Sequence, residues 1–281
     1  MKIGFFECKY GNVGDDLNPF LWSRLMPNLV NGDDSTIFVG IGSIFDNRYD
    51  SYDKKMVFGA GARVAETLPK IDDSWDIRFV RGPLTCQSLK DQGIVATYIT
   101  DPGILVSKFF PKPKVVKGKI GLIPYYLTEH EPWQHIAKML GYVLISPSLS
   151  VEDFVIQVAE CELVVTEAMH GAIIADATRV PWIPYSSSTI IYEQQTHVFK
   201  WTDWCSSMQL QFEDFVLPRF WNVRDASVIL KFKQLIKKVF ISYQISRRVK
   251  YGKRYLSDNI IFAEKIRLLE NEIESVNKIC S

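Results

Sequence analysis

Two loops of this chain combine residue types that can move protons and hold anions. In the first, Thr166-Glu167-Ala168-Met169-His170-Gly171-Ala172, the apolar run Leu163 to Val165 ends in one acid and one histidine before a helix-forming stretch. Ligands of open α/β sheets sit outside the carboxyl ends of strands and against helix N-termini. A histidine there can donate to an anion or move a proton near neutral pH, or it can simply cap the helix. The second loop, Gly11-Asn12-Val13-Gly14-Asp15-Asp16-Leu17-Asn18, follows the first apolar run. Its acids can cap a helix, accept hydrogen bonds from sugar hydroxyls, or act as a general base on one of them. Two carboxylates would repel a phosphate, and the loop has neither a P-loop Lys-Ser/Thr nor GxGxxG spacing. A neutral, hydroxylated ligand is therefore expected at this end. Arg63 and Arg81 each stand just beyond a strand candidate, where a guanidinium suits bidentate recognition of carboxylate or phosphate. With His170 they describe an anion pocket beside a hydroxyl pocket.

Short β-type runs alternate with helical segments, the pattern of an α/β protein. Strands are expected at 2–6, 36–40, 55–58, 77–80 and 96–99, with a helix over 17–25. The Pro/Lys-rich Phe110-Pro111-Lys112-Pro113-Lys114 interrupts the pattern as a linker. Strands at 119–126, 142–145, 163–165 and 182–185 then alternate with helices at 133–140, 151–161 and 171–178, Ser150 being the N-cap of the second. The expected divisions are an N-terminal Rossmann-like domain over 1–112, a C-terminal one over 113–224, and a helical tail over 225–281. The two domains are expected to face one cleft, with Gly11 to Asp16 on one side and Glu167 to Gly171 on the other.

Length and composition fit two globular cores: 281 residues, 47% hydrophobic and 23% charged. The net charge of +1 gives no electrostatic case for nucleic acid. Cys8, Cys86, Cys161, Cys205 and Cys280 are scattered without a CxxC pair, which suits reduced structural thiols. No His/Asp/Glu group has metal-ligand spacing, so no metal or other cofactor is expected. His130, His135 and His197 are isolated and read as surface or structural residues. Met1 to Phe6 is too short for a secretory signal, and no apolar run approaches the roughly 18 residues that cross a bilayer. The expected location is the cytoplasm, or its membrane face.

The ordered set GNVGDDLNP, GAGAR, RGPLT, DPGIL and EAMHGAIIADA resembles the polysaccharide pyruvyltransferases, over about residues 3 to 186. It looks closest to the branch that makes pyruvate ketals on bacterial exopolysaccharide repeat units. The resemblance implies a fold like the GT-B glycosyltransferases and phosphoenolpyruvate as donor. Two hydroxyls of a sugar on a glycan or lipid-linked oligosaccharide become a cyclic ketal, and phosphate leaves. His170 matches the family's histidine at the donor site, and Arg81 matches an arginine that holds the donor. Met169, Gly171 and Arg63 join them on the donor side; Asn12, Asp15 and Asp16 fall on the acceptor side. His170 would protonate the donor's methylene carbon or stabilise the leaving phosphate, while Glu167, Asp15 or Asp16 takes the hydroxyl proton. Many members have Arg-Leu-His where this chain has Ala168-Met169-His170, so Arg63, Arg179, a lysine or backbone N–H groups must serve instead. A nucleotide-sugar glycosyltransferase and a non-catalytic glycan-binding scaffold are the rival readings.

The tail is basic: Lys231, Lys233, Lys237, Lys238, Arg247, Arg248, Lys250, Lys253 and Arg254 fall between Asp225 and Arg254. Val228, Phe232, Leu235, Ile236, Val239 and Tyr243 recur at helical spacing. That stripe either packs against the second domain or meets an anionic membrane surface. A second helical run, 260–279, is expected to pack on the protein or a partner.

Overall fold

The computed structural model describes residues 1–29, 34–110, 115–129, 132–187, 194–218, 220 and 228–280. The expected linker residues Pro111 to Lys114, and His130, lie outside them. The chain divides into two compact units, each an α/β assembly around its own parallel sheet. Unit 1 comprises 1–109, 194–212 and 257–281; unit 2 comprises 110–193 and 213–256. The expected divisions at 112 and 224 miss two returns of the chain, because helices far along the sequence complete the first unit.

In unit 1, β1 (Lys2–Gly4), β2 (Thr36–Val39), β3 (Lys54–Phe58) and β4 (Trp75–Phe79) lie in sequential order, all parallel. Buried Ile37, Val39, Val57, Phe45, Trp75 and Leu89 form one packed cluster. The strand expected at 96–99 is reduced to a bridge between Val80 and Tyr98. Asp101 and Pro102 turn the chain there into a 3-10 helix, Pro102–Lys108, before more pairs can form. Helix α1 (Val13–Leu25) follows β1 and is pinned by the buried amide of Asn18. Its Oδ1 accepts from Ile41 N–H at 2.8 Å and Trp22 Nε1–H at 3.0 Å, while Nδ2 donates to the Ile41 carbonyl at 3.0 Å.

Helix α2 (Pro83–Asp91) begins behind Gly82, which has no side chain to cap it. The cap comes from Asp203, on a later helix of this unit, whose Oδ1 accepts from Leu84 N–H at 2.9 Å and Thr85 N–H at 3.0 Å. Its Oδ2 accepts from Thr85 Oγ1 at 2.8 Å and Arg81 Nε at 3.1 Å. The approach is so close that a Cβ at Gly82 would lie 2.1 Å from the Asp203 carbonyl oxygen. Arg81 also donates to Ser43 Oγ at 2.7 Å and the Ala62 carbonyl at 3.2 Å, with Gly61 leaving room for the guanidinium. Arg81 and Asp203 are both fully buried. The donor-binding arginine expected at Arg81 is therefore corrected: its charge is neutralised inside the protein, where it holds α2 and the sheet to the returning segment.

That segment lies within unit 1 as a helix, Gln194–Ser207. Its His197 is buried against Trp201 and Phe212, a structural role.

Unit 2 carries β5 (Ile120–Ile123), β6 (Val143–Leu144), β7 (Leu163–Thr166) and β8 (Trp182–Pro184), parallel in the order β6-β5-β7-β8. Pro124 ends β5 earlier than expected because it has no N–H for the ladder. Helices α3 (Trp133–Leu140), α4 (Val151–Ala159) and α5 (Met169–Ala177) fill the crossovers. Ser150 caps α4, accepting from Asp153 N–H at 3.1 Å. Helix α5 starts two residues before the expected 171, which brings His170 into its first turn.

With the helix of 194–207 as α6, the tail forms α7 (Val228–Tyr251) and α8 (Asn259–Cys280). Helix α8 belongs to unit 1, with Leu269, Ile273 and Val276 buried, Arg78 bonded to Glu272 and Ser275, and Lys108 paired with Glu270. Helix α7 packs in unit 2 through Gln234, Ile241, Ser242 and Ile245. Of the apolar stripe read from the sequence, Phe232, Leu235, Ile236, Val239 and Tyr243 are all exposed.

Removing Asp203 leaves a buried guanidinium uncompensated and two helix N–H groups uncapped. Asp203→Ala should cost about 3–5 kcal/mol of stability, read as a lowered Tm in thermal unfolding. An unchanged Tm would contradict the structural assignment of Arg81.

Candidate functional site

Both loops singled out by their residue types lie at the carboxyl edge of a parallel sheet. In unit 2 the strand order reverses between β5 and β7: the chain goes from β5 outward to β6, then returns to the other side of β5. A topological switch point of this kind opens a crevice between the loops leaving the two strands, where α/β proteins hold ligands. Those loops contain Tyr125 to Thr128 and Glu167 to His170.

Glu167 ties them together. Its Oε2 accepts from Tyr125 N–H at 3.1 Å and Thr128 Oγ1 at 2.6 Å; its Oε1 accepts from Ser187 N–H at 2.6 Å, beyond β8. Only 1% of the residue is exposed. The general-base role expected of Glu167 is corrected on this geometry: both oxygens are engaged by the fold, and the carboxylate positions three loops.

His170 is half-buried in the first turn of α5, next to buried Met169 and Gly171. The helix begins without a side-chain cap, the residue before it being Ala168. Gly171 permits close packing of α5 on β7, since a Cβ there would lie 2.4 Å from Thr166 Oγ1. Arg179, one candidate for the missing guanidinium, follows the other end of α5 with φ 62° and pairs with buried Asp176 at 3.3 Å. A helix of nine residues separates it from His170 by roughly 13 Å. Arg179 closes the helix C-terminus and is excluded as the substitute.

In unit 1 the helix starts four residues earlier than expected, so the acid loop is also its first turn. Asn12 is the N-cap: Oδ1 accepts from Gly14 N–H at 3.3 Å, and its own N–H donates to Asp16 at 3.2 Å. Of the alternatives for Asp16, the structure shows the cap. Asp15 is held by Asn12 Nδ2, and burial raises its pKa to about 6, the hydrogen bond from Asn12 opposing the shift. A carboxylate so poised can accept a proton near neutral pH.

Arg48 lies within electrostatic reach of Asp15 and is paired with Asp46 through Nε at 2.7 Å and Nη2 at 2.6 Å. It sits in the 3-10 helix Asn47–Tyr49, well beyond the end of β2, so the signal that marks Arg63, an arginine just after a strand, does not reach it. Arg63 is half-buried, its N–H donating to Thr67 Oγ1 at 3.3 Å. A half-buried pair, Tyr125 and Tyr126, packs edge to face 4.7 Å apart at the switch point. Two aromatics directly after a strand are a legible sign of a ligand surface. Among the described residues no group of three or more His, Cys, Asp or Glu is arranged to hold a metal ion.

Two substitutions separate structural from chemical roles. In Glu167→Gln an amide N–H2 must face either Ser187 N–H or the Tyr125/Thr128 donors. Stability should fall by about 2 kcal/mol, whereas a free general base at this position would leave Tm unchanged. For Asp15 the folded pKa is raised, so the native state binds its proton more tightly than the unfolded chain. Its favourable contribution is complete below the unfolded value of 3.8 and is lost as pH rises through about 6. Asp15→Asn, which keeps an acceptor for Asn12, should therefore raise stability by about 2 kcal/mol at pH 7. The gain should vanish in unfolding measured near pH 4; a gain that persists there would contradict the assignment.

Residues 9–189 match the family model described as polysaccharide pyruvyl transferase. The matched span contains both loops, with Arg48, Arg63 and Arg81. The chain is also 34% identical over 226 residues to the succinoglycan biosynthesis protein ExoV of Rhizobium meliloti (strain 1021), covering 78% of this chain and 68% of that protein. This chain belongs to the polysaccharide pyruvyl transferase family and is an enzyme of that kind.

Proposed function

We propose that the enzyme takes pyruvate from phosphoenolpyruvate and bridges two hydroxyls of one sugar in a bacterial exopolysaccharide repeat unit. The proposed acceptor is a glycan or lipid-linked oligosaccharide presented on the cytoplasmic side. The observation that carries this reading is the half-buried His170 in the opening turn of an uncapped helix at a topological switch point, within a chain of this family. The relative's name ties that protein to succinoglycan biosynthesis, which supports a glycan repeat unit as acceptor here.

The reaction balances without a cofactor. A proton adds to the donor's methylene carbon as one sugar oxygen bonds to the adjacent carbon. The second oxygen then displaces phosphate from that carbon, which closes the ketal. Of the two hydroxyl protons, one replaces the proton given to the methylene and the other leaves with phosphate. His170 supplies the methylene proton or stabilises the departing phosphate, with the opening turn of α5 oriented toward negative charge. Arg63 is the proposed anion-recognising group of unit 1, and Asp15 the proposed acceptor of the hydroxyl proton. The GT-B-like reading belongs to the same proposal, with unit 2 as donor side and unit 1 as acceptor side.

Phosphoenolpyruvate should raise the Tm, and UDP-, GDP- and CMP-sugars should not; the reverse would favour a glycosyltransferase. His170→Ala should lower kcat and kcat/KM together by about 10²–10⁴-fold with Tm unchanged. Near-normal kcat would remove His170 from the chemistry.

A further inference from the structure

Helix α7 is inside out. Its packed side carries Gln234 and Ser242 beside Ile241 and Ile245, while its solvent side carries large apolar residues. Ile229, Phe232, Ile236, Val239 and Tyr243 follow one another at steps of three and four, one continuous stripe on a helix. Exposures of 69% at Ile229, 61% at Phe232 and 63% at Tyr243 show that none of the described residues covers it. Leu235 and Phe240, also exposed, widen it. From 229 to 243 the stripe runs roughly 21 Å.

The flanks of the stripe identify what would cover it. Lys231 and Lys238, seven residues apart, border one side; Lys233 and Lys237, four apart, border the other. Arg247, Arg248 and Lys250 continue the positive charge, and the helix contains no Asp or Glu. An apolar stripe between two rows of lysine matches the cross-section of a bilayer surface. The ring and aliphatic groups enter the acyl boundary while the ammonium groups rise to anionic headgroups. A second copy of this chain is disfavoured, because joining two such stripes would bring like charges together along both edges. The helix is also too polar to cross: among the described residues no helix is long and apolar enough to span a membrane.

We propose that α7 docks this enzyme on an anionic lipid surface, lying in the interface with the Ile229-to-Tyr243 stripe inserted. The inference rests on the exposed face of α7 alone and does not depend on the donor, the acceptor or the site chemistry.

The test is co-sedimentation of the full chain with vesicles of phosphatidylcholine alone or mixed with phosphatidylglycerol. The full chain should bind the mixed vesicles at low salt, bind the neutral ones far less, and be released as salt rises. Phe232→Glu with Ile236→Glu should abolish binding while Tm is retained, these side chains being exposed. Reversal of Lys231, Lys233, Lys237 and Lys238 to Glu should lower partition well over tenfold, each lysine near such a surface contributing roughly fivefold. Absence of binding to the mixed vesicles at low salt would overturn the proposal, as would undiminished binding by either variant. A dimer in light scattering that Phe232→Glu/Ile236→Glu makes monomeric, without vesicle binding, would assign the stripe to a second copy instead.

Discussion

The candidate site depends on one buried carboxylate. Glu167 sits where the β7 ladder ends, and its three hydrogen bonds hold the loop after β5, the loop before α5 and the strand beyond β8 in one arrangement. A carboxylate at 1% exposure is tolerable only because each oxygen is satisfied. The same bonds that make burial affordable also fix the crevice at the strand reversal. His170 therefore begins its helix from a fixed base, and the N–H of the neighbouring Tyr125 is anchored on the same carboxylate.

Unit 1 solves the equivalent problem with different chemistry. Asn18 pins α1 to the loop after β2, and Asp203 caps α2 while neutralising Arg81. These polar anchors are buried and saturated, so they stiffen the carboxyl edge of the sheet. Asp15 is the exception. Its raised pKa means that the folded state holds its charge at a cost above pH 6, a local destabilisation of the sort that accompanies reactive groups.

Much of this was legible in the residues. Parallel strands read as short apolar runs, and the Glu167-to-Gly171 and Gly11-to-Asp16 segments announce strand-to-helix turns. Arg81 was misread because its partner lies 122 residues away, and local sequence cannot report an ion pair at that separation. Glu167 was misread for a related reason: its donors are backbone N–H groups and one hydroxyl, which carry no charge pattern. The chain's returns to unit 1 through α6 and α8 were likewise hidden by sequence order. For α7 the periodicity gave the stripe but not its direction. A 3.6-residue period marks a face without saying what lies against it.

The proposed reaction transfers pyruvate from phosphoenolpyruvate to a sugar as a ketal. Mass spectrometry of a defined glycan incubated with the enzyme and phosphoenolpyruvate tests it most directly. The expected product is a glycan heavier by one ketal-bound pyruvate, formed in step with an equimolar amount of phosphate and absent with His170→Ala. A glycan of unchanged mass while phosphate accumulates, or one that gains a sugar from a nucleotide-sugar donor instead, would contradict it.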